Sequence, residues 1–472
     1  MIIFFAKNNP SPEFMDLISW GVLGYMIVSL ALGLLAARRV HSAEDFMNGG
    51  RRLPLLLNVA AFFALWYGSE TILGASGAYA NEGFQAVVED PFGAALCLFL
   101  VALVFARPLY QRNLLTLGDL YEKSFGPRVG LWASLAMIAT FFSYVAGQFV
   151  ALGVLFTGIS GWPLEAGITL CAVVVTLYTM AGGLWSVSFT DLFQGIMIVA
   201  GLGLALYFLH QEPALGTPLE VLEKTEDQYF RLWPEATPEA ILHFIGAWMV
   251  MGLGSIPSQD VFQRFNAARS ARMAALSAGL GGALYLCLAL VPLYLTLVAL
   301  KLDLKPNEAP GGAQGILLHL LHTHTPPWVQ TLFFGALISA VLSTASGALL
   351  APASLWWENI VPFLSRSGKR SLFTLRIAVL GMAILSYVLA LLVHNIFQLV
   401  SLASAMGLFM LFVPLCAALF DPKPSPRGAL WAMASGTLVY IVFLLLPPLW
   451  IPTPMGGFLA SVLGYCVGRA IK

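Results

Sequence analysis

Residues 53–81 constrain the fold of this chain most strongly, because this stretch is long and apolar enough to cross a bilayer yet is interrupted in its middle. The interruption, residues 66–71 (WYGSET), puts a glycine, two hydroxyls and a carboxyl at a depth where lipid solvates none of them. About one turn of unwound helix there would free carbonyls to coordinate a cation and direct two half-helix ends at a substrate. The alternative is a packing glycine with a buried acid that a neighbouring helix satisfies.

The composition is that of a membrane protein. The 472 residues are 59% hydrophobic and 10% charged, with a mean hydropathy of +0.82, a balance that excludes a soluble globular chain. At about 20 apolar residues per span, the sequence predicts an all-α polytopic membrane protein with about thirteen transmembrane helices. We expect them at about 15–37, 53–81, 91–110, 128–158, 162–181, 190–210, 238–256, 270–300, 327–357, 372–393, 396–420, 427–447 and 455–470.

The basic residues predict the orientation, because Lys and Arg favour cytoplasmic loops. With the N-terminus outside and the C-terminus in the cytoplasm, most of the 24 basic residues are cytoplasmic, including Arg264, Arg269 and Arg272 after predicted helix seven. The opposite side would keep Lys7, Lys224, Arg231, Lys301 and Lys305. We therefore expect a multi-pass protein of a bacterial-type inner (plasma) membrane.

The sequence does not indicate an enzyme. It contains no H-E-x-x-H, P-loop, G-x-S-x-G or C-x-x-C motif, and all five cysteines fall inside predicted spans. The expected partners are the lipid bilayer, a small solute and an ion, and no nucleic acid. The oligomeric state is left open.

A second interruption falls in predicted helix seven, where residues 251–260 (MGLGSIPSQD) combine glycines, serines and a proline. Paired interruptions at corresponding positions of two halves indicate an inverted repeat with the binding site between them. Residues 53–210 and 238–420 would then be two five-helix repeats within a single transporter domain, 1–472. Helices one, twelve and thirteen would be peripheral.

Predicted helix nine contains hydroxyls that suit a monovalent cation. Ala340, Ser343 and Thr344 lie on one helix face, and two hydroxyls beside a carbonyl offer neutral oxygen ligands. Alternatively, such hydroxyls bond the carbonyls one turn back or on a neighbouring helix. Asp191, in the short turn before predicted helix six, is either an acid at a helix N-terminus or a cation stop on the cytoplasmic side.

Five motifs, taken in order and spacing, resemble the sodium/solute symporter family. This family includes bacterial proline, pantothenate, sialic acid and galactose carriers and animal glucose and choline carriers. The motifs are WYGSETILG, TLGDLYEKSFG, YTMAGGLWSVSFTDLFQ, SQDVFQRFNAARSARMAA and AVLSTASGALLA. The resemblance implies a LeuT-like 5+5 inverted repeat with broken helices two and seven, and sodium as the coupling ion.

The resemblance also implies site residues. A sodium site between helices two and nine would use the carbonyls of Ala64, Tyr67 and Ala340 and the hydroxyls of Ser343 and Thr344. Asp191 and Ser346 would serve a second sodium ion or sodium release. The expected substrate positions are Ser69, Glu70, Thr71, Asp90, Met251 and Gly254. Met251 and Gly254 stand where sugar carriers have an aromatic inner gate, so we do not expect a sugar.

These features predict a sodium-coupled secondary active symporter that imports a small polar organic solute by alternating access. Glu70, Glu89 and Asp90 have no basic residue near the predicted midplane to balance them, which favours an amine-bearing solute: an amino acid, a choline-like compound or a polyamine. The alternative is a solute sensor or a channel with the same fold and no coupled transport. The solute and the sodium stoichiometry are left open.

The implied sodium site of carbonyls and hydroxyls has no formal charge, so its selectivity must come from size and geometry. We therefore expect potassium to replace sodium poorly. The measurement is the thermal shift of the purified protein with amino acids, choline, polyamines, sugars and carboxylates, in sodium or in potassium. Equal ligand stabilisation in the two salts would rule out the assigned sodium ligands.

Overall fold

The computed structural model describes residues 47–160, 163–213, 215–223, 225–309, 311–364, 372–446 and 450–471, with isolated positions between 20 and 35. Predicted helix one, at about 15–37, therefore lies largely outside the described residues. The regular secondary structure of the described ranges is helical, apart from one isolated β-bridge between Leu53 and Ala268. This agrees with the predicted all-α protein.

The helices are named here in chain order. They are α1 (Leu55–Trp66), α2 (Glu70–Glu82), α3 (Phe84–Gln111), α4 (Leu117–Phe125), α5 (Pro127–Ser160), α6 (Leu164–Leu209), α7 (Pro218–Glu223), α8 (Pro238–Gly254), α9 (Gln259–Asn266), α10 (Ala271–Lys301), α11 (Ile316–His324), α12 (Pro327–Phe363), α13 (Leu372–Leu392), α14 (Ile396–Phe420), α15 (Pro426–Leu445) and α16 (Thr453–Ala470). Single π-helical turns interrupt several of them, among them Glu70–Gly74 and Gly407–Phe412.

Both interruptions expected from the sequence are bends in the structure. Helices α1 and α2 meet at 46°, and α8 and α9 meet at 51°. Within the described ranges, eight helices are long and apolar enough to cross a bilayer, or ten if each bent pair is one span. The count of thirteen helices therefore stays a prediction.

Helix α6 differs from the two separate helices predicted at 162–181 and 190–210. Helical backbone runs through all 46 residues of Leu164–Leu209, including the predicted glycine turn. A straight helix of that length would measure about 69 Å, more than twice the apolar thickness of a bilayer. Its apolar residues fall in two segments, Leu164–Leu177 and Val187–Leu209.

Helices α5 and α12 form the centre of the molecule. Their most apolar windows are 83% and 94% buried, whereas the corresponding window of α15 is 28% buried. Helix α12 packs against α1, α5, α6 and α13, so the helix that contains the first break lies against a deeply buried span.

Helices α8 and α14 touch backbone to backbone beside the second break. A Cβ atom added at Gly407 would lie 2.0 Å from the carbonyl oxygen of Gly254, and one added at Gly254 would lie 2.1 Å from the carbonyl oxygen of Ser404. Neither position has room for a side chain, because the atoms it would meet belong to the backbone.

We expect Gly407→Ala to lower the free energy of unfolding by roughly 1–3 kcal/mol, because the new methyl must push α8 away from α14. The matched control is Gly203→Ala in α6, where an added Cβ meets no atom within 4 Å. The measurement is the thermal unfolding midpoint in detergent. A Gly407→Ala protein as stable as the Gly203→Ala protein would show that the contact is loose.

Candidate functional site

The first break leaves carbonyls that side chains of other helices satisfy. Helix α1 ends at Tyr67, whose backbone angles (φ −86°, ψ 69°) are not helical, so nearby carbonyls lose their partners in the next turn. Thr71 Oγ1 donates to the carbonyl of Trp66 at 3.0 Å, and the hydroxyl of Tyr144 donates to the carbonyl of Leu65 at 3.2 Å. The break therefore presents carbonyl oxygens to polar groups from outside the helix.

Three of the five predicted sodium ligands meet beside this break. Thr344 Oγ1 lies 3.0 Å from the carbonyl oxygen of Ala64 and 3.1 Å from that of Ala340. Ser343 directly precedes Thr344 on α12, and all four residues are nearly fully buried. The bond from Thr344 to Ala340 is also the one-turn-back bond of the alternative interpretation. The Thr344 hydroxyl thus bonds a carbonyl of its own helix and also lies against the Ala64 carbonyl of α1.

Asp191 and Ser346 join the same cluster. The Ser343 hydroxyl donates to Asp191 Oδ1, and Ser346 Oγ donates to the Ser343 carbonyl at 2.9 Å. Asp191 is 2% exposed and lies inside the helical stretch of α6, not in an exposed turn. Its Oδ2 atom is buried and has no hydrogen-bond partner among the described residues, so one carboxylate oxygen remains available to a cation.

Tyr67 is the predicted ligand with the least direct connection to this cluster. Its ring is fully buried, and its hydroxyl donates to the carbonyl of Leu288 on α10 at 3.0 Å. Only its backbone carbonyl was assigned to sodium, and the non-helical ψ angle frees that carbonyl from the helix.

The cluster fits a monovalent cation better than a divalent one. It combines two backbone carbonyls, two hydroxyls and one carboxylate, which together carry a single formal charge. The described residues contain no group of three or more His, Cys, Asp or Glu side chains that could hold a metal. Among the described residues, this cluster therefore lacks the several carboxylates that are typical of calcium sites.

Glu70 lies next to the break and is 1% exposed. Gln148 Nε2 on α5 donates to Glu70 Oε2 at 3.0 Å, and the Tyr144 hydroxyl lies 3.4 Å from Oε1. Ser69 Oγ lies 2.9 Å from Gln148 Oε1 and 3.2 Å from Glu70 Oε2. Ser69 and Gln148 therefore orient the carboxyl without supplying a positive charge.

Asp90 and Thr71 form a second buried network. Asp90 is fully buried, accepts the hydroxyl of Tyr285 on α10, and lies 3.3 Å from Thr71 Oγ1. Thr71 Oγ1 and the Tyr285 hydroxyl are 2.9 Å apart. In the described part of the chain, neither Asp90 nor Glu70 forms a salt bridge, so these carboxyls are buried without a cation.

A cavity opens between the two breaks. Its lining combines the first break, the second break, α5 and α14, and includes Trp66, Glu70, Tyr144, Gly254, Asp260 and Ser404. The indole N–H of Trp66 is buried and has no hydrogen-bond partner among the described residues. Aromatic residues and a carboxyl residue thus line one space.

The predicted substrate residues divide into two groups. Glu70 and Gly254 line the cavity, and Ser69 and Thr71 flank Glu70. Met251 does not line it, because its side chain packs against α3 near Gly93, where an added Cβ would lie 3.5 Å from Met251 Cβ. Asp90 is also set back from the cavity, since its carboxyl bonds Tyr285 and Thr71.

Several site residues were not found from the sequence. Gln148 had a signal, because a polar side chain inside an apolar span indicates function by default. Tyr144 and Tyr285 had none, since aromatic residues are common in such helices. Arg264 was counted with the cytoplasmic basic residues only for its charge, and the sequence did not indicate that it is buried, at 1% exposure, in α9.

Known proteins similar to this chain are transporters. The model of the Sodium:solute symporter family matches residues 46–436. A high affinity choline transporter of Homo sapiens is 26% identical over 451 residues, covering 91% of this chain and 77% of that protein. A high-affinity proline transporter of Bacillus subtilis is 28% identical over 438 residues, covering 88% and 89%.

Solved structures share the fold. The substrate-bound, outward-open structure of a Na+-coupled sialic acid symporter aligns with a TM-score of 0.80 at 20% identity, covering 96% of this chain and 98% of the other. A nucleobase-cation-symport-1 family transporter in a closed conformation aligns with a TM-score of 0.57 at 14% identity, covering 91% and 95%. These neighbours are LeuT-fold transporters, which confirms the predicted LeuT-like fold, while the inverted repeat and its bounds stay predictions.

We expect Thr344→Ala or Ser343→Ala to raise the sodium concentration for half-maximal stabilisation by about tenfold, because each removes one oxygen from the cluster. The double variant should be less than additive, since either loss already opens the shell. The measurement is a sodium titration of the thermal unfolding midpoint.

Two variants control for changes in the helix itself. Thr344→Ser keeps the hydroxyl and should retain sodium affinity. Thr437→Ala removes a hydroxyl that bonds the Met433 carbonyl at 2.7 Å within α15, away from the cluster, and should leave sodium affinity unchanged. An unchanged sodium titration in the Ser343 and Thr344 double variant would favour the structural interpretation of both hydroxyls.

Proposed function

Because the chain belongs to the sodium:solute symporter family, we propose that it couples sodium entry to the uptake of a small amine-bearing solute by alternating access. The family consists of transporters and not enzymes, and sodium is its coupling ion. One sodium ion moving down 100 mV and a tenfold gradient releases about 3.7 kcal/mol, enough for roughly 500-fold accumulation of a neutral solute.

The proposed sodium site consists of the carbonyls of Ala64, Tyr67 and Ala340 and the hydroxyls of Ser343 and Thr344. The distances from Thr344 to the two carbonyls support it, because they bring three of these oxygens to one point. Asp191 and Ser346 extend the site and would serve a second ion or the release of the first. The carboxylate oxygen of Asp191 that lacks a partner supports this extension.

The buried acids are the observation that supports an amine-bearing solute. Glu70 is 1% exposed, lines the cavity and has no cationic partner among the described residues. A buried carboxylate is strongly destabilised unless a positive charge compensates it, and a substrate ammonium group would supply that charge. Asp90 and Glu89 lie behind it on α3 and strengthen the negative potential of the region.

The aromatic lining supports the same class of solute. Trp66, Phe141 and Tyr144 surround the cavity near Glu70, and their ring faces attract ammonium groups. The named substrates of the two relatives, choline and proline, each carry a positively charged nitrogen. A free indole N–H at Trp66 would bond an oxygen on the solute, such as a hydroxyl or a carboxylate.

We expect Glu70→Gln to abolish solute uptake and to retain sodium binding, because the substitution removes the charge and keeps the shape. The loss should exceed about thirtyfold, since it leaves a buried ammonium unpaired. The measurement is uptake of labelled choline and labelled proline into proteoliposomes under an inward sodium gradient, with sodium-induced stabilisation measured in parallel.

Glu82→Gln is the matched control, because Glu82 is an exposed acid at the end of α2 and should not affect uptake. Wild-type transport by the Glu70→Gln protein would mean that Glu70 is a structural acid. Uptake of a sugar or a simple carboxylate in place of both amines would contradict the proposed class of solute.

A further inference from the structure

Arg264 is a buried cation that the transport proposal does not use. It lies in α9, just beyond the second break. At 1% exposure it is the largest of the fully buried side chains among the described residues. Its Nε and Nη1 atoms have no hydrogen-bond partner among the described residues. Burying an incompletely bonded guanidinium is costly, so its environment must compensate the charge.

The guanidinium packs against α12 one turn away from the proposed sodium ligands. A Cβ atom added at Gly347 would lie 2.6 Å from Arg264 Nη2. Gly347 follows Ser343 by four residues and Thr344 by three, so all three lie on the same helix face. The separation along the axis is about 5 Å, one helical turn.

Two buried carboxyls are placed near this charge. Asp260 lies one turn before Arg264 on α9, and Asp191 bonds Ser343, one turn from Gly347 on α12. No salt bridge joins Arg264 to either acid among the described residues, so the guanidinium keeps its positive charge beside the proposed sodium ligands.

Helix α9 covers this end of the sodium cluster. Besides Arg264 on Gly347, Gln263 Nε2 donates to Ser354 Oγ of α12 at 3.2 Å. The orientation predicted from the basic loops places this end of α12 toward the cytoplasm. A sodium ion leaving in that direction must pass the guanidinium while α9 stays packed on α12.

We propose that Arg264 is a cationic gate on the cytoplasmic side of the sodium site. Its charge repels sodium on the exit path as long as α9 lies on α12, and movement of α9 removes the charge and opens the path. This inference rests on the proposed sodium-coupled transport. Gly347 is the position that makes room for the guanidinium.

The test is exchange of ²²Na⁺ across proteoliposomes that contain no solute. Arg264→Gln removes the positive charge, and sodium exchange should become at least about tenfold faster than in the wild type. The reason is that a guanidinium beside the exit path repels a passing sodium ion strongly. Exchange of ⁸⁶Rb⁺ should stay at the wild-type level. Arg272→Gln removes an exposed charge near the same end of the molecule and should change neither rate.

Two further variants separate charge from folding. Arg264→Lys keeps the charge and should stay within about twofold of the wild type. Gly347→Ala displaces the guanidinium without removing it and should speed sodium exchange as Arg264→Gln does. If Arg264→Gln does not fold, as judged by size exclusion and thermal unfolding, Arg264→Lys and Gly347→Ala test the gate instead. A wild-type rate of sodium exchange in Gly347→Ala would then overturn it.

The remaining outcomes separate this inference from the transport proposal. A wild-type rate of sodium exchange in a folded Arg264→Gln protein overturns the gate. An equal rise in sodium and rubidium exchange also overturns it, because it would indicate a nonselective leak through the protein. Sodium-driven choline or proline uptake by the wild type then still supports symport. Conversely, faster sodium-selective exchange in Arg264→Gln without uptake of any solute by the wild type supports the gate and refutes solute symport.

Discussion

The hydrogen bond from Thr344 to the carbonyl of Ala64 connects the broken helix to α12, a deeply buried span at the centre of the molecule. Inside a bilayer every backbone polar group needs a partner from the protein, because lipid offers none. A helix can therefore stop at Tyr67 only where other helices supply donors. Thr344, Tyr144 and Thr71 supply them, and the same oxygens then become available to an ion.

The buried charges follow from this geometry. Glu70 and Asp90 lie on the side of the break that faces α3, α5 and α10, bonded by neutral groups only. Asp191 and Arg264 lie beside α12 instead, Asp191 bonded to Ser343 and Arg264 packed against Gly347. Among the described residues the first group has no cationic partner, whereas the second contains a guanidinium. A solute ammonium suits the first group, and sodium suits the second.

Local patterns predicted much of the fold. Long apolar stretches identified the spans, and glycine and polar residues marked both breaks. The spacing of Ala340, Ser343 and Thr344 placed them on one face. Patterns could not show that helical backbone continues through Leu164–Leu209, because the glycines between the two apolar segments are typical of a turn.

The sequence by itself determined the class, the breaks and the residue types of the site, because hydropathy and helix-breaking chemistry are local properties. Only the tertiary structure decided which groups meet. Gln148 reaches Glu70 from 78 positions away, Tyr285 reaches Asp90 from 195, and Thr344 reaches Ala64 from 280. Met251 turns to α3, and Arg264 is buried against Gly347. Such pairings depend on how helices pack, and no spacing along the chain encodes that.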